Sequence, residues 1–337
     1  MHAETESLPG ELQAMTFRIP RRALLAAATS APAVAHAQAF PSRPIRLIAP
    51  YAPGGGVDTT SRLLGVPMGA FLGQPVVVEN RGGAGGSIGA AEVARSAPDG
   101  HTIMIDALAH TVNPFVIPNL GFDYATAFAP ISQVVVLPQI LAVNPQKCPA
   151  KNVQDFIAWA RPRQRELSYG SSGNATAAHL AATLFLRRAG LDITHVPYRG
   201  GSPALQDLLA GNIVFVFGTV SSTLQQVRDG RLVALGVTTA RRIGPLPGVP
   251  TIAEQGFEGF ELNEWNGMYA PAGTPAPVVQ RLYESAKHAL ADATVQQRIA
   301  ALGAIPIGTD PATFARFVAD QRTLMGRIVR EAGLEAS

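Results

Sequence analysis

Two clusters of glycine, each placed directly after a short apolar run, constrain the fold of this chain more than any other feature. The first run, residues 47–49, is followed by glycines at positions 54–56, and the second, residues 76–78, by four glycines within positions 82–86. Nearly continuous apolar runs of this length are typical of strands buried in a parallel sheet. Each cluster leads into a helical pattern, so residues 46–106 predict a β-turn-α-β-turn-α-β unit with glycine-rich turns after its first two strands.

Glycine-rich turns of this kind suit an anionic ligand. Glycine lets the backbone approach a ligand closely, and a helix N-terminus offers unpaired N–H donors and a partial positive charge. We expect Asp58 in the first turn of the first helix and Ser87 as the cap of the second. The glycines could instead only form tight turns, but two clusters at equivalent places in successive units favour a ligand site.

The spacing of the glycines argues against a nucleotide. Neither cluster matches the G-x-G-x-x-G pattern or the phosphate loop that ends in lysine, and no lysine lies between Met1 and Gln146. The available donors are therefore backbone amides. A small carboxylate suits such donors better than a polyphosphate, which needs a lysine or a metal ion.

The N-terminus is interpreted as a leader and export signal over residues 1–37. Three arginines within positions 18–22 form a basic segment, and the small, apolar stretch after them ends at an A-x-A cleavage signal at positions 35–37 or 37–39. Acidic residues precede Met15 and do not suit an export signal, so translation is expected to start there. The pattern predicts a periplasmic protein, exported by the general or the twin-arginine route.

The remaining sequence argues against several classes of function. No later stretch offers the roughly 20 apolar residues that span a bilayer, so stable membrane insertion is not expected. The net charge of +3 comes without a basic run interleaved with aromatics, so nucleic acid is not an expected partner. The histidines fall at no metal-ligand spacing, and we expect no metal and no cofactor. Cys148 lies in what we take to be an exposed connection, and residues 170–173 lack the spacing of a nucleophile elbow, so we expect no enzyme.

The length of 337 residues supports two lobes rather than one core. Residues 131–143 are long for a strand and are broken by Pro138, which we interpret as a crossover between lobes, with residues 263–271 as the return. Small polar turns also follow the strands of the second lobe, and open α/β sheets bind ligands at the C-terminal ends of their strands. The predicted division is lobe 1 over residues 40–138 and 265–337, and lobe 2 over residues 139–264.

Several segments share a pattern with one family. They are residues 51–58 (YAPGGGVD), 73–86 (GQPVVVENRGGAGG), 97–102 (APDGHT), 169–174 (YGSSGN), 177–180 (AAHL), 196–201 (VPYRGG) and 269–275 (YAPAGTP). This combination closely resembles the Bug-type extracytoplasmic solute receptors, the binding proteins of tripartite tricarboxylate transporters. The resemblance implies an α/β fold with the two-lobed, type II periplasmic-binding-protein (Venus-flytrap) architecture, each lobe a mixed, mostly parallel sheet flanked by helices. It also implies that the turns after the first two strands hold a ligand carboxylate, largely through backbone amides and ordered waters.

The glycine turns and this resemblance together predict a cleft whose residues come from both lobes. From lobe 1 they are Tyr51, Pro53, Gly54, Gly55, Gly56, Val57, Asp58, Gly83, Ala84, Gly85, Gly86, Ser87, Ile88 and His110. From lobe 2 they are Ser171, Ser172, Asn174, Thr176, Arg199, Gly200, Gly201, Gly218 and Thr219.

The chain departs from the family pattern at three positions. Gly218 stands where an Asp is usual, Ser87 stands where an Asn is common, and Pro67 is expected to kink or shorten a helix that is usually continuous. Without the Asp we expect no anionic partner for a ligand ammonium. The sequence therefore predicts a receptor that rejects free amino acids and prefers amine-free mono- or dicarboxylates.

The function predicted from the sequence is that of a monomeric periplasmic solute-binding protein. It captures a small organic carboxylate in the cleft between its lobes and delivers it to the permease subunits of a tripartite tricarboxylate-type transporter. Two alternatives stay open: a carboxylate sensor subunit for a signalling partner, and a hydrolase or isomerase of small acids on the same fold.

Overall fold

The structure, a computed structural model, describes residues 40–335, and the predicted leader and export signal lie outside this range. Its strands are β1 (Ile45–Ala49), β2 (Val76–Asn80), β3 (Thr102–Ala107), β4 (Phe128–Leu137), β5 (Gln139–Val143), β6 (Ser168–Ser171), β7 (Thr194–Pro197), β8 (Phe215–Thr219), β9 (Val233–Val237), β10 (Glu264–Pro271) and β11 (Ile305–Pro306). Its α-helices are α1 (Gly56–Leu72), α2 (Ser87–Ala94), α3 (Ala109–Val116), α4 (Val153–Ala160), α5 (Ala177–Ala189), α6 (Gly201–Ala210), α7 (Val220–Arg228), α8 (Ala276–Ala291), α9 (Ala293–Ala301) and α10 (Pro311–Glu331). Within residues 40–335 no helix is long and apolar enough to cross a membrane.

The first sheet holds six strands in the order β11-β4-β10-β3-β1-β2. β1 pairs in parallel with both β2 and β3, whereas β10 is antiparallel to β3 and β4. β1 is almost wholly apolar because helices cover both faces of the sheet, and Ile45, Leu47 and Ile48 are fully buried. The C-terminal ends of β1 and β2 meet at one edge, where the amide of Arg81 donates to the carbonyl of Ala49 (2.9 Å).

The second sheet holds five strands in the order β7-β6-β8-β5-β9. β6 is parallel to β7 and β8, and β5 is antiparallel to β8 and β9. Both sheets are thus mixed, each with a parallel part built from βα units, and helices flank them. This arrangement confirms the predicted two-lobed α/β fold class.

The chain changes sheet at the two positions where the sequence placed crossovers. β4 ends at Leu137 in the first sheet and β5 begins at Gln139 in the second, so Pro138 lies between them. The return is made by β10, which belongs to the first sheet. On this basis we propose to keep the lobe boundaries predicted above. The last helix, α10, packs on β4 and also reaches α5 of lobe 2, where Arg187 pairs with Glu331 (3.4 Å).

The prediction that Pro67 kinks or shortens the first helix is wrong with respect to length, because α1 continues through Pro67 to Leu72. Leu64, Met68 and Leu72 on either side of the proline are buried in the core of lobe 1. The free energy gained by burying this apolar face beyond the proline offsets the hydrogen bond that proline cannot donate.

The prediction that Cys148 lies in an exposed connection is also wrong, because its side chain is fully buried. The amide of Cys148 donates to the carbonyl of Asn144 (2.9 Å), which turns the chain inward after β5. The thiol then joins the core that contains Phe156. Burial raises the pKa of the Cys148 thiol, so it stays protonated and unreactive.

Candidate ligand-binding cleft

Two adjoining cavities lie between the strand ends of the two sheets. Cavity 1, of about 390 Å³, lies between the first glycine turn and the turns of lobe 2. Cavity 2, of about 870 Å³, lies between the second glycine turn, α3 and the start of α5. Glu264 and Ala177 line both cavities, so the cleft is continuous past these two residues.

The structure brings together about half of the predicted site residues around these cavities. Those that line cavity 1 are Gly54, Gly56, Ser171, Ser172, Gly201, Gly218 and Thr219. Those that line cavity 2 are Tyr51, Ala84, Gly85, Asn174 and Thr176. The other predicted residues line neither cavity: Pro53, Gly55, Val57, Asp58, Gly83, Gly86, Ser87, Ile88, His110, Arg199 and Gly200. Which of them touch a ligand stays a prediction.

The first glycine turn leads into a helix start whose first backbone amides are free. The amide of Gly54 donates to Oδ2 of Asp58 (2.8 Å), and that of Gly55 makes a long bond to the carbonyl of Ala52 (3.4 Å). Among residues 40–335 no acceptor pairs with the amides of Gly56, Val57 and Asp58, which are the first three residues of α1. A helix start with unpaired amides at the edge of a cavity can bind a carboxylate.

Asp58 is a positioning residue for this turn. Besides the Gly54 amide, its buried carboxylate accepts hydrogen bonds from Nδ2 of Asn80 (2.9 Å), at the end of β2, and from Nε of Arg62 (3.1 Å). Burial alone would raise the pKa of Asp58, but the bonds from Arg62, Gly54 and Asn80 outweigh it and hold the pKa below its usual value. The ionised carboxylate therefore fixes the first turn to the strand that carries the second.

The second glycine turn differs from the prediction at its helix start. A 3₁₀ turn over Ala84–Gly86 precedes α2, whose cap is Gly86, so the prediction that Ser87 caps this helix is wrong. Gly85 has a φ of +63°, which strains any residue with a Cβ. Its carbonyl accepts a hydrogen bond from Nδ2 of Asn113 (2.9 Å) on α3, a contact that the sequence did not predict.

A buried hydrogen-bond network supports the wall behind the second turn. The Tyr51 hydroxyl donates to Oδ1 of Asp106 (2.9 Å), and Nδ1 of His110 lies 3.1 Å from Oδ2 of the same carboxylate. Burial lowers the pKa of His110 more than Asp106 raises it, so the ring is neutral near pH 7. The ring also stacks on Tyr269 at 4.0 Å. His110 is thus a wall residue, and Asp106 is a supporting residue that sequence reasoning missed.

Glu264 is an acidic side chain of the cleft that sequence reasoning also missed. Its Oε1 accepts hydrogen bonds from the amides of Leu108 (2.9 Å) and Trp265 (3.0 Å). Burial raises the pKa of Glu264 to about 7; the two amides oppose this rise and the charge of Asp106 adds to it. The sequence predicted Asp58 as the acidic residue of the cleft, whereas Glu264 is the one that lines both cavities. The available signal was its position at the start of the return crossover.

On the side of lobe 2, two histidines support the turn after β6. Nε2 of His195 lies 2.7 Å from the hydroxyl of Ser171, and the ring of His195 stacks on that of His179 at 3.8 Å. Burial, and to a smaller extent the charge of His195, lowers the pKa of His179 to about 4. Burial also lowers the pKa of His195. Both line cavity 2 as neutral rings near pH 7.

The surroundings of Gly218 leave little room for a side chain. A Cβ added at this position would lie 2.3 Å from Cγ2 of Thr223, which is fully buried on α7. A side chain here therefore requires Thr223 or the helix that carries it to shift. Arg199 is exposed and lines neither cavity, and no other arginine or lysine among residues 40–335 lines either of them. Within residues 40–335 no group of three or more acidic, histidine or cysteine side chains is placed to hold a metal ion.

Comparison with known proteins agrees with this architecture. The sequence model of a family described as "Tripartite tricarboxylate transporter family receptor" matches residues 61–334. A Pseudomonas protein, described as the UPF0065 protein in the tcbD-tcbE intergenic region, is 38% identical over 314 residues, which are 93% of each chain.

Solved structures with the same fold include one periplasmic binding protein and two relatives solved with an organic acid. The periplasmic binding protein BugD is 34% identical, with a TM-score of 0.74 over 88% of this chain and 100% of BugD. A protein of R. palustris solved with adipate is 33% identical (TM-score 0.77, 88% and 100% covered). MatC of Rhodopseudomonas palustris with bound malate is 31% identical (TM-score 0.73, 86% and 100% covered). The chain belongs to the receptor family of the tripartite tricarboxylate transporters, the Bug-type periplasmic solute-binding proteins.

Proposed function

We propose that this receptor captures a small organic carboxylate in cavities 1 and 2 and delivers it to the permease subunits of a tripartite tricarboxylate-type transporter. It acts in the periplasm as a monomer, after removal of the export signal that the sequence predicts within residues 1–37. Family membership supports a solute receptor. The ligand class, the delivery step and the site residues are the content of the proposal.

The observation that carries the proposal is the pair of free amides at Gly56 and Val57, at the start of α1. Gly56 lines cavity 1, Val57 follows it in the chain, and no arginine or lysine among residues 40–335 lines this cavity. A carboxylate carries one negative charge and accepts two hydrogen bonds side by side, which matches two adjacent N–H groups and the partial positive charge of a helix start. The adipate and malate bound by two relatives are acids of this class.

One contact favours the hydrolase alternative, the short distance between the Ser171 hydroxyl and Nε2 of His195. A serine nucleophile needs a histidine that accepts its proton and an acid that orients the histidine. The Ser171 hydroxyl also lies 2.9 Å from the carbonyl of Gly173, which can only accept. When Ser171 donates to Gly173, His195 must donate to Ser171 and cannot act as its base. No carboxylate of residues 40–335 pairs with His195, so the receptor remains the better-supported function.

Native mass spectrometry of the protein purified from periplasm, without added ligand, tests the proposal. We expect one small acid per chain, identified by its mass after denaturation and absent from a sample dialysed under mild denaturant. The same acid, added back isotopically labelled, should enter cells that carry the permease genes and not cells that lack them. A bound molecule without a carboxyl group would contradict the ligand class. Conversion of the acid by the purified protein would favour the enzyme.

A further inference from the structure

Glu264 has a position in the cleft that no other acidic residue shares. It begins β10, where the chain returns from lobe 2 to lobe 1, and it lines both cavities. Neither lining contains another Asp or Glu, and neither contains an Arg or Lys. A ligand in either cavity therefore meets this carboxyl group and no fixed cation.

The two oxygens of the Glu264 carboxyl group have different surroundings. Oε1 accepts both backbone hydrogen bonds, from Leu108 and Trp265. No donor within residues 40–335 pairs with Oε2. This oxygen is not buried either, so it is open to the cleft. Oε2 is thus the oxygen that faces a ligand.

Two ionised carboxylates cannot approach each other in a cleft that supplies no cation, because they repel and each loses water. We propose that Glu264 is protonated in the complex and donates its Oε2 hydrogen to the carboxylate of the bound acid, so that capture of the acid takes up one proton from solvent. The inference rests on the proposed function, since it concerns how the same site recognises its ligand.

The environment of Glu264 supports this protonation. Burial and the charge of Asp106 raise its pKa to about 7 before any ligand binds, and a ligand carboxylate raises it further. A bond between a neutral carboxyl group and a carboxylate is short and strong. The same arrangement disfavours a ligand that presents an ammonium group at this point, because the ammonium requires the ionised form.

The other titratable groups around Glu264 do not change charge between about pH 7 and pH 9. The hydroxyl of Tyr51, after β1, donates a hydrogen bond to Asp106, and burial raises the pKa of Tyr51 well above its usual value. His110 on α3 shares Asp106, and its pKa is lowered. His179 and His195, which face the cleft from lobe 2, also have lowered pKa values. Proton uptake in this range therefore reports on Glu264.

Calorimetry with adipate and with malate tests the inference, at about pH 7, 8 and 9 and in two buffers that differ in ionisation enthalpy. We expect about 0.5 proton taken up per acid bound near pH 7 and about 0.9 near pH 8, with the affinity falling about tenfold per pH unit above 7. Glu264→Gln keeps a hydrogen-bond donor of the same shape. It should bind with an affinity that does not depend on pH in this range and without proton uptake.

Glu261→Gln is the matched control, because Glu261 lies three positions earlier, is exposed and lines neither cavity. It should behave as the unaltered protein. Equal proton uptake by the unaltered protein and Glu264→Gln, or binding with no uptake or with proton release, would overturn the inference while leaving the receptor function intact.

A titration of the free protein needs no ligand. The ¹³C resonance of the Glu264 carboxyl group, assigned by its loss in Glu264→Gln, should titrate near pH 7; titration below about pH 5 would overturn the inference. By contrast, failure of every acid to bind at any pH would contradict the proposed function itself.

Discussion

Asp58→Ala should loosen the first glycine turn and lower both stability and ligand affinity. The Asp58 carboxylate is buried and accepts three hydrogen bonds, from Gly54, Asn80 and Arg62. Removing it leaves the Gly54 amide without an acceptor and leaves Nδ2 of Asn80 with only the carbonyl of Tyr51 (3.1 Å). The turn that presents the Gly56 amide is then held to β2 by fewer contacts.

The cost of Asp58→Ala can be worked out from these contacts. The bonds from Gly54 and Asn80 reach a buried, ionised acceptor, and each contributes about 1.5 kcal/mol. The side chain of Arg62 is 54% exposed, so its pairing contributes only about 0.5 kcal/mol. The expected loss is about 3 to 4 kcal/mol, which corresponds to about 5 °C in Tm for a chain of this size. Affinity for a carboxylate should fall about tenfold or more, because even a small displacement of the Gly56 amide weakens its hydrogen bond to the ligand.

Chemical denaturation and thermal unfolding measure the first effect, and calorimetry with adipate or malate measures the second. Arg62→Ala is the matched control, because it removes the exposed partner and keeps the carboxylate. It should lose about 0.5 kcal/mol and keep its affinity. If Asp58→Ala and Arg62→Ala unfold within about 1 °C of each other, the carboxylate does not hold the turn as described.

The pH dependence of this contribution has a definite sign. The pKa of Asp58 is lowered in the folded state, so its contribution is fully present at neutral pH. As the pH falls below about 4, the unfolded chain takes up the proton first, and the contribution is lost as the pH passes the folded pKa. The difference in stability between the unaltered protein and Asp58→Asn should therefore shrink on acidification from about pH 6 to pH 3.

Three further outcomes are expected. Gly85→Ala should weaken carboxylate binding and cost about 1 kcal/mol of stability. Gly259→Ala is the control, because Gly259 has a similar φ (+69° against +63°) and no atom lies within 4 Å of its added Cβ. It should cost a similar amount of stability and leave binding unchanged. Equal affinities of the two variants would count against a role for the second turn. Cys148 should resist thiol reagents in the native protein and react after unfolding; rapid labelling of native protein would show that it is not buried. N-terminal sequencing of periplasmic protein should start at Gln38 or Phe40, and a chain that retains its acidic leader would contradict export.

Local sequence predicted the parts of the fold that depend on neighbouring residues. Apolar runs followed by glycine placed β1, β2 and their turns, and Pro138 marked the change of sheet. These features follow from short-range rules on strand burial and turn geometry. Pro67 shows their limit, because packing of α1 on the core outweighs the local preference of proline to end a helix.

The supporting residues of the cleft could not be predicted in the same way. Glu264 reaches the cleft because β10 inserts between β3 and β4, a neighbour relation between segments more than 100 residues apart. Asn113 and Asp106 are similarly brought behind the turns by tertiary packing. The pairing of the Gly54 amide with Asp58 also requires the folded turn, so the sequence did not show that this donor is already occupied.

We propose above that the cleft recognises an ionised carboxylate through the amides at the start of α1. Thermal-shift and calorimetric comparison of malate, succinate and adipate with their methyl esters and amides tests it most directly. An acid that binds, present at 100 times its dissociation constant, should stabilise the protein by about 2.7 kcal/mol, while its ester and amide should give no shift. Equal stabilisation by an acid and by its ester or amide would contradict this recognition, because both derivatives lack the charge and the amide keeps nearly the same shape.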